Sequence, residues 1–199
     1  QKATDAGYKT GFQYDSAGAL IENYALDIET LCTFVKNTQP VALALFEKRC
    51  KSDPQKKFYK AFQNAVDMNG LVNVLRHGFK HRGQEFKVIF FKPETELNQL
   101  SITRYKENIC QCIRQWHYSP RNNNSVDMML AVNGIPLVAI ELKDQLTGQT
   151  INNAIQQWMT DRDPREDAFQ FNRRILTYFA VDLYRVSMTT RLLGSKTYF

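Results

Sequence analysis

VDMMLAVNGIPLVAIELK, residues 126–143, decides the fold of this 199-residue chain. MMLAV and IPLVAI are almost unbroken apolar runs split by Asn133-Gly134, the pattern of two strands buried on both faces and joined as a hairpin. A half-exposed strand would alternate apolar and polar residues, and these runs do not. Charges stand at three positions where burial is costly: Asp127, Glu141 and Lys143. Glu141 and Lys143 are two apart, so on a strand they project from one face, where the run leaves the core.

Strand parity then constrains the turn. With Asn133-Gly134 as a two-residue loop, Asp127 falls opposite Ile140 and Glu141 points to the other face. A three-residue loop, with Val132 and Asn133 in a type I turn and Gly134 left-handed in a G1 bulge, pairs Ala131 with Ile135 and makes Asp127 and Glu141 diagonal neighbours. The three-residue loop is therefore expected. Two carboxylates and a lysine at one sheet end offer oxygen ligands to a hard cation and an ammonium to a developing negative charge. That is the donor set of a metal-dependent phosphodiesterase.

Composition sets the frame. A chain with 43% hydrophobic and 12% aromatic residues can build one ordinary α/β core, and a single domain over residues 1–199 is expected. Residues 1–24 lack clear periodicity and read as an irregular, partly helical lead-in. No apolar run long enough to span a bilayer and no basic segment followed by an apolar one is present, so the expectation is a cytoplasmic protein without a membrane partner. The net charge of +6 and pI of about 9.1 suit a polyanionic partner. Cys32, Cys50, Cys110 and Cys112 lack the second Cys/His pair of a zinc site and read as reduced core-filling thiols. Gly194-Ser195-Lys196-Thr197 lacks the earlier glycine of a phosphate loop, so no ATP site is expected.

Along the chain, apolar spacing marks a helix that starts at Leu26 and ends before Pro40, a second over Val41–Cys50, a third around Phe58–Val66 and a short segment at Leu71–Leu75. Arg76, His77, Lys80, His81 and Arg82, broken by Gly78 and Gly83, form either a loop that approaches a phosphate backbone or a solvated connection. Lys80, His81 and Arg82 are its candidate DNA contacts. Phe86–Phe91 reads as a strand. Asn108–Tyr118 fits helix or strand by its own spacing. The polar loop 121–125 carries Arg121, which either reaches DNA or is solvated. Ile151, Ala154, Ile155 and Trp158 trace a helical stripe that packs on the sheet, with Gln157 beside it and the helix ending by Pro164. ILTYFAVD and YRVSMTT read as two further strands, paired as a hairpin.

VNGIPLVAIELKDQLTGQTINNAIQQW, with Asp127 upstream and DRDPRE downstream, resembles the nuclease domain at the start of the motor-nuclease (R) subunit of bacterial type I restriction-modification enzymes. ALDIETLCTFVKNTQP, LVNVLRHGFKHRG, WHYSP and YFAVDLYRVSMTTRL carry the same resemblance, which spans about residues 25–193. It implies a restriction-endonuclease-like PD-(D/E)-x-K fold, α/β with a central mixed sheet flanked by helices, and it selects strand for Asn108–Tyr118. The implied activity is that of a type I site-specific deoxyribonuclease cutting double-stranded DNA with Mg²⁺, for which Mn²⁺ would substitute. Asp127 matches the first acid, with Val126 in place of the family's proline, and Glu141-Leu142-Lys143 matches the E-x-K. Asp127, Glu141 and the Leu142 carbonyl would hold the metal, and Lys143 would act on the water or the phosphorus. Gln157 matches the glutamine of a Gln-x-x-x-Tyr element, with Asp161 at the tyrosine position. Implied partners are the modification (methyltransferase) and specificity subunits. ATP would belong to the motor of the full-length subunit, which this chain is expected to lack. Two other readings remain: a non-catalytic DNA-binding or assembly module of the same fold, and a repair or recombination nuclease.

Overall fold

The computed structural model describes residues 9–10, 25–50, 52–95, 97–119, 121–144, 146 and 148–199. Apart from Lys9 and Thr10, the expected lead-in over residues 1–24 lies outside them. The chain forms two compact units, one of residues 1–26, 110–131 and 135–199, the other of residues 27–109 and 132–134. Among the described residues no helix is long and apolar enough to cross a membrane.

The first unit is built on a mixed sheet of order β1-β4-β5-β6-β7-β8. Its strands are β1 (Lys9–Thr10), β4 (Cys110–His117), β5 (Ser125–Val132), β6 (Ile135–Leu142), β7 (Thr177–Val181) and β8 (Val186–Thr189). β6 and β7 are parallel, pairing Glu141 with Ala180, so the chain must cross over between them; that connection contains helix α6 (Ile151–Thr160). The stripe Ile151, Ala154, Trp158 is buried as its spacing predicts, and the Trp158 indole donates to the Phe179 carbonyl at 3.0 Å. α6 ends at Thr160, short of Pro164. Asp182, just past β7, accepts from the Ile151 amide and from the amides of Tyr184 and Arg185, fixing both the helix start and the turn into antiparallel β8. Trp158 packs edge to face with Phe169 and Tyr178 in the core, and Tyr118 lies tilted against Phe169.

The second unit packs α1 (Ile28–Thr38), α2 (Pro40–Lys48), α3 (Pro54–Asn69), α4 (Leu71–His77) and α5 (Gln99–Lys106) with a small hairpin of β2 (Phe79–His81) and β3 (Gln84–Phe86). Phe46, Phe58, Phe79 and Phe86 form its aromatic centre, with ring centroids 5.1–5.8 Å apart. The RHGFKHRG stretch is thus not a loop: its first residues end α4, Gly78 caps the helix at φ 74°, and the rest makes the β2–β3 hairpin.

Phe86–Phe91 is not a strand either. Only Phe86 pairs, and the following backbone is satisfied by side-chain amides instead of a neighbouring strand. Gln39 accepts from the Lys87 amide at 2.7 Å and donates to its carbonyl at 2.8 Å. Asn108 does the same for Phe90, and Asn133 donates to the Val88 carbonyl.

The central turn also departs from expectation. Gly134 has the expected positive φ of 79°, but Asn133 is left-handed too, at 53°, and β5 ends at Val132 while β6 begins at Ile135. This is a two-residue turn of type I′ backbone sign, not a type I turn with a G1 bulge. Asn133 is fully buried; its amide and side chain bracket Ile109, donating to that carbonyl and accepting from that amide, each at 2.7 Å.

Candidate active site

A two-residue turn with strict alternation would send Asp127 and Glu141 to opposite faces. The alternation is not strict. Val126 and Met129 of β5 are both buried although three apart, and on β6 the buried Pro136 and Ala139 are likewise three apart, so burial does not keep a two-residue period along this hairpin. On β4 Ile113 and Trp116, three apart, are both buried, and Gln115 between them has φ 49°. The Leu142 amide donates to Asp127 Oδ2 at 2.8 Å, and the Ser125 carbonyl accepts from Arg162 Nη2 at 2.8 Å. Gln115 completes the setting, donating to Asp127 Oδ1 at 3.1 Å and accepting from the Ser125 hydroxyl at 2.9 Å. Asp127 and Glu141 are thus neighbours although the turn is not the three-residue loop.

Glu141 is wholly buried at the end of β6. Its Oε1 accepts from Arg162 Nε at 3.0 Å and Nη2 at 2.6 Å, while its buried Oε2 has no hydrogen-bond partner. The Glu141 carboxyl is raised to about 7: burial is the largest cause, the Arg162 guanidinium opposes it, and the neighbouring Asp127 adds to it. Burial works against the Arg162 charge, but Glu141 outweighs it and holds the guanidinium above its ordinary range. Lys143 lies one residue beyond β6, where its amide donates to the Val181 carbonyl at 2.8 Å and continues the ladder to β7. Its ammonium donates to Gln157 Oε1 at 2.7 Å, so α6 holds the lysine at the sheet end. Asp161 caps the exposed end of that helix, accepting from the Thr160 hydroxyl.

Asp127, Glu141, Leu142, Lys143 and Gln157 thus all meet at one end of the sheet. Arg121, in the same unit, pairs with the buried Glu166 at 3.1 Å while its own side chain stays 67% exposed. Lys80, His81 and Arg82 belong to the second unit: Lys80 lies 3.8 Å from Glu85, and the Arg82 guanidinium donates to the Arg49 carbonyl. Arg162 was not among the residues expected from the sequence. It stands in the DRDPRE block, but nothing in the letters distinguishes an arginine turned inward from its solvated neighbour Arg165.

The residues fit a divalent cation. Two carboxylates are neighbours, and the buried Oε2 of one is left unsatisfied, a condition a cation would relieve. Among the described residues no three Asp, Glu, His or Cys side chains cluster as a metal cage. An ion here would rest on two carboxylates, backbone oxygen and water, a set suited to Mg²⁺, which keeps several of its waters.

The fold and site therefore define a mixed α/β protein with two acids and a lysine gathered at the end of its central hairpin. The model of the family described as type I restriction enzyme R protein N terminus matches residues 11–194, and the chain belongs to that family. No curated protein matches it.

Proposed function

We propose that this chain is a Mg²⁺-dependent endonuclease domain of the PD-(D/E)-x-K type, cutting double-stranded DNA as part of a type I restriction enzyme. The observation that carries the reading is the unpartnered, buried Oε2 of Glu141 beside Asp127, with Lys143 fixed at the same sheet end. Family membership supports it. Asp127, Glu141 and the Leu142 carbonyl are the groups that would hold the ion; when bound, Mg²⁺ supplies a Lewis acid for the phosphate and lowers the pKa of a coordinated water. Lys143 offers a fixed ammonium to the charge that develops on the phosphate oxygens or orients the attacking water. Gln157 holds that ammonium in place, which limits the reorganisation needed during reaction. Partner subunits for modification and specificity would choose the sequence, and ATP would serve a motor outside this chain.

The test is cleavage of circular plasmid DNA by the complete restriction enzyme with Mg²⁺. Asp127→Asn and Lys143→Ala should each abolish cutting while ATP hydrolysis and assembly persist. Retained cutting by either variant would refute the assignment.

A further inference from the structure

Glu141 is held asymmetrically. Both contacts from Arg162 fall on Oε1, and the same Nη2 that reaches Oε1 also binds the Ser125 carbonyl on β5, two residues before Asp127. The Arg162 side chain is 5% exposed, and its guanidinium carbon lies 5.6 Å from the centre of the Tyr118 ring. One rigid fork therefore ties the strand that carries Asp127 to the carboxylate that carries Oε2. Rotating the carboxylate to move Oε2 would break both contacts on Oε1.

We propose that Arg162 is a positioning residue: it clamps Glu141 through Oε1 and β5 through the Ser125 carbonyl, so that Glu141 Oε2 and Asp127 present a preset pair of oxygens to a divalent cation. This rests on the metal-site reading above. An arginine is required because one planar group must meet the carboxylate twice while reaching the carbonyl. Lysine keeps the charge but loses the fork.

The experiment is calorimetric titration of the 199-residue chain with MnCl₂ alone, in wild type, Arg162→Lys, Arg162→Gln and Asp127→Asn, with melting curves to set the folded fraction. Wild type should bind Mn²⁺ and Asp127→Asn should not. The folded Arg162 variants should bind ~10- to 100-fold more weakly, the usual loss when a residue orienting a metal ligand is removed. Arg162→Lys should not recover wild-type affinity. Unchanged affinity in a folded Arg162 variant would overturn the positioning role, and tighter binding would show that Arg162 competes with the ion. Failure of both Arg162 variants to fold would mark the residue as structural and also overturn the proposal. Absence of Mn²⁺ binding in wild type would defeat the metal-site reading itself, an outcome distinct from a loss confined to Arg162.

Discussion

The Lys143 ammonium donates to Gln157 Oε1 at 2.7 Å, which joins the end of β6 to the face of α6. Gln157 is one residue from the buried Trp158, so its position is set by the helix that the sheet already holds. In the proposed mechanism Lys143 meets the reacting phosphate, and Gln157 acts only through it. Lys143→Ala should therefore abolish plasmid cleavage by the complete enzyme. Gln157→Ala should leave a residual rate lower by roughly 100-fold, the scale of misplacing a reacting group by about an ångström. Equal losses in single-turnover assays would show that Gln157 does more than hold the lysine.

Gly134 cannot accept a side chain. It lies at φ 79°, and an added Cβ would stand 2.2 Å from the Asp27 carbonyl oxygen and 2.8 Å from Asp27 Cβ; its own carbonyl accepts from the Asp27 amide at 2.8 Å. Gly134→Ala should destabilise the protein by at least ~1–3 kcal/mol, the cost of one strained backbone position, before the clash with backbone atoms is counted. Urea denaturation followed by circular dichroism measures the difference, and an unchanged midpoint would contradict the close approach.

Much of this hairpin was legible, and its failures have a common physical cause. The runs 128–132 and 135–140 announce strands through length and apolar content, and Glu141 and Lys143 mark where β6 leaves the core. The meeting of Asp127 with Glu141 was expected, but by the wrong device. Burial along β5 and β6 departs from a two-residue period, and nothing in the letters of either run signals where. Likewise KVIFF has the composition of a strand, but Gln39, Asn108 and Asn133, distant in sequence, take over its backbone hydrogen bonds. Local propensity yields there to tertiary contacts. Helix α5 has no buried residue, so its existence left no apolar stripe to read.

His81 links the small hairpin to acidity. Burial, and then the charge of Arg82, hold its imidazole below the ordinary value of 6.5, and its ring lies 5.8 Å from that of Phe46. The folded protein therefore binds this proton less tightly than the unfolded chain. The stability His81 contributes is fully present above about pH 6.5 and is lost as pH falls through its lowered folded value. Between pH 7.5 and 5.5 the melting temperature of wild type should fall more than that of His81→Gln, all other groups being common to both. An equal fall would mean that the proton on His81 does not distinguish folded from unfolded protein.

The same hairpin carries the cations expected to meet DNA. Lys80 is exposed, and its only close anion among the described contacts is Glu85 at 3.8 Å, an exposed pair of the kind worth little in water. Arg82 sits in the exposed β2–β3 turn at φ 48°, with one guanidinium nitrogen committed to the Arg49 carbonyl. Both charges are therefore available to phosphates. Sequence-independent duplex binding should depend steeply on salt through such contacts, and neutralising Lys80 and Arg82 together should lower the slope of log affinity against log salt by about two units. Base preference should not change, because phosphate contacts carry no sequence information. Fluorescence anisotropy over a salt series decides the matter. An identical slope for wild type and Lys80→Gln/Arg82→Gln would make this hairpin a solvated connection and route the duplex over other cations.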